Sequence, residues 1–435
     1  MSTLTIVGLD VVLLVMLLML SIPLPYCFAG ALFFMSIFGN VSMKSMMLWA
    51  YSQSVGTVLL ASPLFILAGT YMGGSGVAKK LLDLCDAFIG RIKGGMGVVS
   101  VITCAVIGAI SGSGFTGVAA TGPIMIPRMV EQGYPNGFAT SLVTVSSVLG
   151  LLIPPSAIMI IYGWITETSI LACFLATVGP GILVMLLFCL INLIECRKFD
   201  LKLMPPMSFA EKMEVTGKRA VSAIPALMMP IIILGGIYCG VFTPTEAAAV
   251  AAIYSIPVGI FIYKAMKLKD IKQMTFDSIC SIGSIMVMII FCLMLSQTFV
   301  MLQVPQALIK IIFSITTNKV VILILMNIFL FLVGMIVNDS TGMLLCAPLL
   351  LPLVQQLGIS PIHFAAIMGV NLAMGGITPP YASILYLGMR IGKCEFKDII
   401  GPTMKLLIFG YVPVVFLTSF YPDLSLFLPK LFGFI

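Results

Sequence analysis

Long apolar runs, separated by short polar segments, dominate this chain of 435 residues. A run of about 20 apolar residues is long enough to cross the hydrocarbon core of a bilayer as a helix. The pattern therefore predicts an all-α integral membrane protein with many crossings. The predicted spans are 4–23, 58–77, 170–194, 222–243, 246–265, 279–300 and 402–420, with a shorter apolar run at 25–39.

Two further apolar stretches, at 94–127 and 320–352, are interrupted near their middle by small polar residues. The interruptions read SGSG in the first stretch and NDSTG in the second. Each half has about 15 residues, which is short for a complete crossing. We therefore expect each stretch to form a re-entrant helical hairpin whose tip lies inside the membrane.

A helix broken by two consecutive prolines is predicted after each hairpin, at 135–164 and at 361–390. Proline lacks a backbone N–H and clashes with the preceding helical turn. The pairs Pro154-Pro155 and Pro379-Pro380, each with glycines nearby, should therefore unwind these helices locally.

The two hairpins and broken helices repeat the same landmarks at an offset of 225 or 226 residues. Pro123 corresponds to Pro348, Gly133 to Gly358, and the double prolines to each other. Paired Gly- and Pro-interrupted hydrophobic segments in corresponding halves indicate the binding site of a secondary transporter.

Lys and Arg residues lie in short clusters between the apolar runs. Cytoplasmic loops of membrane proteins carry an excess of these residues, so the clusters at 197–219 and 264–272 are predicted to face the cytoplasm. Four predicted spans separate the two broken helices, so the second copy must have the opposite orientation to the first. The sequence thus predicts an inverted-topology repeat, with both termini on the outer side.

Composition excludes several other classes of protein. Only 9% of the residues are charged, against roughly 25% in soluble domains. The net charge of +7 comes from the loop clusters and does not indicate nucleic-acid binding. The 11 cysteines form no CxxC pair, and His363 has no neighbouring ligands for a metal. Because no GxxxxGK[ST] loop occurs, energy should come from an ion gradient or from another chain.

The four interruptions offer the chemistry of an ion and anion site. Freed carbonyls with Ser and Thr hydroxyls are hard oxygen ligands that Na⁺ accepts, and the half-helices that follow present N–H groups and a positive dipole end to an anion. The same small residues would also allow close packing and kinks, which is the structural alternative. The residues expected to contact the anion are Ser113, Gly114, Thr116, Ser156, Ser340, Thr341, Pro379 and Pro380.

Four other features have a competing structural interpretation. Asp339 is the only acid at a predicted tip, where it could ligate a cation, carry a proton or cap the following helix. Thr243 and Glu246 have the spacing of a capping box. Arg128 is interpreted as an inside topology anchor, although it could also attract an anion. The segment 79–93 is predicted to be an amphipathic interfacial helix that braces a stationary part of the molecule.

Several motifs together resemble the large membrane subunit of tripartite ATP-independent periplasmic (TRAP) transporters, the DctM/SiaM-like permeases. The resemblance covers nearly the whole chain through PLFILAGTYM, GSGFTG, IPRMVEQGYPNGFA, GLLIPPS, GGIYCGVFTPTEAAAVAAIY, LPLVQQLGISPIHFAAIM and NLAMGGITPP. It implies an elevator-type, Na⁺-coupled importer in the bacterial inner membrane. It also implies a periplasmic solute-binding protein that delivers an organic anion, and a separate small four-helix membrane subunit.

The resemblance further implies two Na⁺ sites. This chain departs from the family pattern at Ser340, where the family often has Pro, and at Tyr381, where a smaller apolar residue is common. The implied ligands are Ser111, Ser113, Gly150, Ile153 and Pro155 for the first site, and Gly334, Asp339, Gly375, Thr378 and Tyr381 for the second.

The expected function is Na⁺-coupled import of a carboxylate, sugar acid or sulfonate by this permease. A stand-alone Na⁺/anion symporter that needs no binding protein is the alternative. A membrane enzyme is disfavoured because no acid/base or metal cluster is apparent. The expected organisation is scaffold helices and an interfacial arm at 1–93, a first repeat at 94–194, central scaffold helices at 195–278, and a second repeat with the C-terminal helix at 279–435.

Overall fold

The computed structural model describes residues 3–89, 92–202 and 209–435, and the regular elements among these residues are helices. The first half of the chain contains α1 (Thr3–Met19), α2 (Leu24–Phe38), α3 (Met43–Ser54), α4 (Ala61–Gly74), α5 (Val77–Ile89), α6 (Gly95–Ser111), α7 (Gly114–Glu131), α8 (Asn136–Ser146), α9 (Leu149–Leu152), α10 (Ala157–Ile165) and α11 (Ile170–Glu195).

The second half continues with helices that are interrupted by three π-helical turns, Ile231–Gly235, Val258–Ile262 and Leu407–Tyr411. These helices are α12 (Phe209–Pro230), α13 (Gly236–Tyr238), α14 (Pro244–Pro257), α15 (Leu268–Met301), α16 (Val304–Ile315), α17 (Lys319–Ile336), α18 (Asp339–Gln356), α19 (Pro361–Gly375), α20 (Ser383–Gly392), α21 (Phe396–Leu406), α22 (Val412–Phe420) and α23 (Asp423–Leu431).

Seven helical segments of the described chain are long and apolar enough to cross a membrane. Five of the predicted spans, the first beginning at 170 and the last at 402, largely coincide with such segments, which confirms a multi-pass membrane protein. The seven segments are Asn136–Ile165, Ile170–Lys198, Met213–Tyr238, Pro244–Ile262, Leu268–Met301, Lys319–Ile336 and Phe396–Phe420.

Several predicted spans have bounds that differ from the helices, among them 4–23, which becomes the 17-residue α1, and 222–243, whose segment runs from Met213 to Tyr238. The span 58–77 shortens to α4, with 14 residues, because the chain leaves the helix at Ser75 and turns at Gly76, whose φ is +81°. The span 279–300 lengthens to α15, with 34 residues, because the backbone N–H of Lys267 donates to the Asp270 carboxylate and starts the helix within the basic loop. None of these changes alters the number of crossings between the two broken helices.

The two interrupted stretches form pairs of helices that pack against each other. In the first pair, α6 ends at Ser111 and is followed by Gly112, whose φ of +65° lies in the left-handed region, and α7 begins at Gly114. In the second pair, α17 and α18 are separated by Val337 and Asn338. The helices of these pairs have 17 or 18 residues, so they are longer than the half-spans that the sequence predicts.

Both proline-broken helices are present where the sequence predicts them. The first is divided into α8, α9 and α10, and the second into α19 and α20. The Pro154-Pro155 and Pro379-Pro380 peptide bonds are both cis. Helix α6 packs against α8 and α9, and α17 packs against α19, so each broken helix lies beside the first helix of its pair.

Helix α5 is the amphipathic helix expected at 79–93, although it ends at Ile89 and residues 90–91 lie outside the described residues. It packs against α6 and α12. Its Asp86 carboxylate lies 2.7 Å from Arg219 of α12, and its Asp83 carboxylate lies 3.7 Å from Arg128 of α7. The helix is thereby connected to both the first helix pair and the central helices.

Three helices were missed by the sequence analysis: α3, α16 and α23. Each has 12 residues or fewer, which is well below the length that marks a crossing. A search for long apolar runs does not detect such helices.

Candidate functional site

The tip of the first helix pair lies against the first break. A β-carbon added to Gly150 in α9 would lie 2.6 Å from Gly108 Cα and 3.1 Å from the Ser113 carbonyl oxygen. The Ala157 N–H donates to the Gly112 carbonyl at 3.4 Å, which joins α10 to the tip. The tip and the break are therefore in direct contact in this half.

The second half contains the same contact between corresponding residues. A β-carbon on Gly375 in α19 would lie 2.6 Å from the Gly334 carbonyl oxygen, and the Tyr381 N–H donates to the Met335 carbonyl at 3.0 Å. The pairs Gly108/Gly334 and Gly150/Gly375 have the offset of 226 or 225 residues that relates the two halves. In both halves, glycine is required because the backbones touch.

Oxygen atoms cluster at the first tip. The Ser111 hydroxyl lies 3.4 Å from the Ser113 carbonyl oxygen, and a β-carbon on Gly112 would lie 2.9 Å from the Pro155 carbonyl oxygen. The five residues predicted for the first Na⁺ site therefore include three, Ser111, Ser113 and Pro155, that meet at this contact. Gly150 provides the close approach, and Ile153 follows α9 in extended conformation.

The second tip differs in how its helix begins. Asn338 caps α18, because its side-chain oxygen accepts a hydrogen bond of 2.9 Å from the Thr341 N–H. The N-cap position therefore belongs to Asn338 and not to Asp339, which is the first residue of α18 and has its carboxylate beside the backbone N–H groups of Asp339 and Ser340. The Thr378 hydroxyl donates to the Met374 carbonyl at 2.8 Å, which leaves its oxygen lone pairs free to accept or ligate.

A cavity of about 600 Å³, here named the tip cavity, lies between the two tips and helices α4 and α15. Asp339 is the only charged side chain among the described lining residues. The tips contribute Gly112, Ser113, Phe115, Thr116, Asn338, Asp339 and Ser340; α4 contributes Ser62, Ile66, Gly69, Thr70 and Gly73; and Ala119, Ala120, Leu151, Ala157, Ser281, Ile285 and Leu387 complete the lining.

Three of the residues predicted to contact the anion line this cavity: Ser113, Thr116 and Ser340. Two others are buried with their hydroxyls bound elsewhere, Ser156 to the Leu151 carbonyl and Thr341 to the Met288 sulfur.

The remaining predicted residues lie around these two groups. Gly114 is buried at the start of α7, and Pro379 is half-buried. Pro380 and Tyr381 line a neighbouring, mainly apolar cavity of about 840 Å³ between the α1–α2 connection, α15 and α17.

The sequence analysis did not single out the α4 and α15 walls of the tip cavity. Ser62, Thr70 and Ser281 place hydroxyl-bearing residues there. The available sequence signal for the α4 wall was helical spacing, because residues three and four apart share a helix face. The residues with this spacing are Ser62, Ile66, Gly69, Thr70 and Gly73. Nothing local in the sequence indicates that this face meets the tips.

The other candidates have structural partners. Thr243 and Glu246 form the predicted capping box at the start of α14, which confirms that interpretation. His363 is buried and binds the Thr418 carbonyl at 2.7 Å. Arg128 lies outside the tip cavity lining and is paired with Asp83.

Comparison with protein families finds a match over residues 11–424 to the DctM component of the tripartite ATP-independent periplasmic transporters. The chain is 36% identical over 406 residues to a C4-dicarboxylate TRAP transporter large permease DctM of Pseudomonas aeruginosa, covering 91% of this chain and 92% of the relative. It is 31% identical to the sialic acid large permease SiaM of Vibrio cholerae, covering 88% and 90% of the two chains. It is also 31% identical to the ectoine/5-hydroxyectoine large permease UehC of Ruegeria pomeroyi, covering 96% and 97%.

Two solved structures have a related fold. The YdaH transporter of Alcanivorax borkumensis aligns with a TM-score of 0.54 at 18% identity, over 88% of this chain and 89% of that chain. MtrF of Neisseria gonorrhoeae, described as illuminating a class of antimetabolite efflux pumps, aligns with a TM-score of 0.58 at 12% identity, over 86% and 83%. At these identities the similarity concerns the fold alone.

Proposed function

The chain belongs to the DctM family of TRAP transporter large permeases, and from that membership we propose that it imports a small organic anion coupled to Na⁺. The observation that carries the proposal is the tip cavity, where the tips of both helix pairs meet a face of α4. Its volume of about 600 Å³ falls within the roughly 300–1,000 Å³ of small-molecule sites.

The charges around the tip cavity favour a coupled cation. The described lining residues include Asp339 and no Lys, Arg or His. An anion beside this carboxylate would be repelled unless positive charge were bound with it. The N-termini of α7 and α18 begin at the cavity and supply partial positive charge, and Na⁺ at the tips would supply the rest.

The proposed Na⁺ ligands are the two sets named above, one in each half. Ca²⁺, an ion close to Na⁺ in size, holds oxygen ligands at about 2.3–2.6 Å, so Ser111 Oγ and the Ser113 carbonyl oxygen, 3.4 Å apart, can share one ion. In the second half, Asp339 would supply carboxylate oxygens, and the Thr378 hydroxyl, which donates to the Met374 carbonyl, keeps its lone pairs for an ion.

We propose that the two halves form an inverted repeat with re-entrant hairpins and that the tips move as an elevator relative to α4 and α15. Four span-length segments between the first broken helix and the second pair support the opposite orientation of the halves. Beyond the tips, the tip cavity includes Gly73, just before the charged helix α5, and Ala119 and Ala120 of α7. These residues lie towards the side of the molecule that carries the basic residues and is predicted to be cytoplasmic. The cavity would therefore open towards the cytoplasm.

The proposed partners are a periplasmic solute-binding protein and a small four-helix membrane subunit, in the bacterial inner membrane. The exposed apolar residues on α1, α12 and α15 would face lipid or that subunit. The candidate solutes are a dicarboxylate, a sugar acid or a sulfonate.

Reconstitution tests the proposal. The permease, its small subunit and its binding protein would be placed in liposomes and offered radiolabelled succinate, sialic acid or isethionate. We expect accumulation of at least one acid with an inward Na⁺ gradient and none with K⁺ or Li⁺ in its place. Accumulation driven by ATP, or by a proton gradient without Na⁺, would contradict the proposal, and uptake that does not need the binding protein would favour a stand-alone symporter.

A further inference from the structure

One continuous face of α4 forms the wall of the tip cavity that lies opposite the tips. Ser62, Ile66, Gly69, Thr70 and Gly73 line the cavity at helical spacing. The Thr70 hydroxyl donates to the Ile66 carbonyl at 3.0 Å and therefore stays close to its own helix. The Thr70 side chain therefore extends less into the cavity than a free one would.

The two glycines of this face have different surroundings. A β-carbon on Gly69 would lie 2.9 Å from Ser111 Cβ and 3.4 Å from Thr116 Oγ1, so α4 packs against the first tip there. No heavy atom lies within 4 Å of a β-carbon on Gly73, one turn further along, and Gly73 is exposed. Packing therefore explains the glycine at 69 but gives no reason for the glycine at 73.

Small residues also line the cavity on α7 at the same side of the tips. Ala119 and Ala120 lie in its second turn and contribute only methyl groups to the lining. The width of the cavity at this side therefore comes from side chains that are missing or short.

We infer that Gly73 is a size-determining position for the transported solute. Its missing side chain leaves the clearance between α4 and the tips that the solute needs to enter, occupy or leave the tip cavity. This inference rests on the proposed transport function, and it adds to that function a residue outside the proposed ion ligands.

Gly73→Cys tests the inference by changing the size of residue 73 within one folded protein. The variant permease, reconstituted with its partners, would be treated with methyl methanethiosulfonate or with the bulkier benzyl reagent. Na⁺-driven uptake would then be measured for whichever of succinate, sialic acid or isethionate the unsubstituted chain accumulates. We expect the methyl adduct to transport within about twofold of the untreated variant. The benzyl adduct should lose about tenfold or more, the equivalent of about 1.4 kcal/mol or more, because the benzyl group would occupy the space that the solute needs. A thiol reductant should restore uptake.

Gly283→Cys is the matched control. Gly283 lies on α15, has no heavy atom within 4 Å of a β-carbon, is exposed and lines neither the tip cavity nor its apolar neighbour. The unsubstituted chain is treated in parallel because Cys239 and Cys280 are also exposed. We expect no size-dependent loss in either.

Full uptake by a benzyl adduct whose formation is verified by mass would overturn the inference, as would equal inhibition by the methyl and benzyl adducts. Failure of the unsubstituted chain to show Na⁺-dependent uptake of any of the acids is a different outcome. It would contradict the proposed function, and the inference would be lost with it.

Discussion

Gly334 and Gly375 touch backbone to backbone, so that a β-carbon on Gly375 would lie 2.6 Å from the Gly334 carbonyl oxygen. Gly108 and Gly150 make the corresponding contact in the first half. These contacts hold each broken helix against the tip beside it. The geometry of both proposed ion sites depends on them.

Gly375→Ala and Gly150→Ala should each lower stability and transport. A methyl group at either position must displace backbone atoms, and overpacking of this kind costs about 1–3 kcal/mol. Thermal unfolding of the purified permease in detergent measures the loss. Gly217→Ala is the control, because Gly217 is exposed in α12 with nothing within 4 Å, and it should be neutral or slightly stabilising. Equal melting temperatures for Gly375→Ala and the unsubstituted chain would show that the backbone contact is not tight.

Thr378→Ala should raise the Na⁺ concentration for half-maximal uptake about tenfold, the equivalent of about 1.4 kcal/mol for one lost ligand. Extra Na⁺ should restore part of the rate, because mass action refills a weakened site. Thr298→Ala is a matched control, since Thr298 is buried in α15 and its hydroxyl makes the same 2.8 Å bond to the carbonyl four residues earlier. If both variants change the Na⁺ dependence equally, Thr378 acts through its hydrogen bond to the Met374 carbonyl and not as a ligand.

Ser113→Ala tests the first ion site in the same way. Ser113 lines the tip cavity, close to the Ser111 hydroxyl. We expect a weaker apparent Na⁺ affinity with unchanged thermal unfolding, because alanine fits where serine did. An unchanged Na⁺ dependence would remove the Ser113 hydroxyl from the proposed ligands, although its carbonyl could still take part.

Asp339→Asn should weaken Na⁺ coupling more than either hydroxyl deletion, because it removes the only charge from the described cavity lining. Uptake against Na⁺ concentration, at several solute concentrations, measures the effect. Asp10→Asn is the control: Asp10 is fully buried in α1, with both carboxylate oxygens lacking a hydrogen-bond partner, and it lies outside the cavity lining. If Asp339→Asn shows the same Na⁺ dependence as the unsubstituted chain, this carboxylate is not part of the ion site.

Labelling of introduced cysteines tests the opposite orientation of the two halves. Lys202→Cys should react only with a reagent applied from the cytoplasm, and Thr317→Cys only with one applied from outside, since both positions are exposed loop residues. Thr317 is preferred to Asn318 because the Asn318 side chain caps α17. Reaction of both cysteines from the same side of the membrane would contradict the inverted repeat.

The sequence by itself determined the membrane class, most of the crossings and the positions of both interruptions and both breaks. These features are local: an apolar run of sufficient length must be a helix in a bilayer, and a double proline must interrupt it. The capping box of Thr243 and Glu246 was likewise predictable, because a cap depends on residues three apart.

Only the tertiary structure decided which of these local features share a site. Whether Asn338 or Asp339 caps α18 depends on side-chain rotamers and on which N–H each oxygen reaches, and the residue types alone allow both. The face of α4 in the tip cavity has the same composition as many packed membrane helices. Gly69 differs from Gly73 in having a neighbour more than 35 residues away in the chain, such as Ser111. Packing between such distant segments cannot be read from a local sequence pattern.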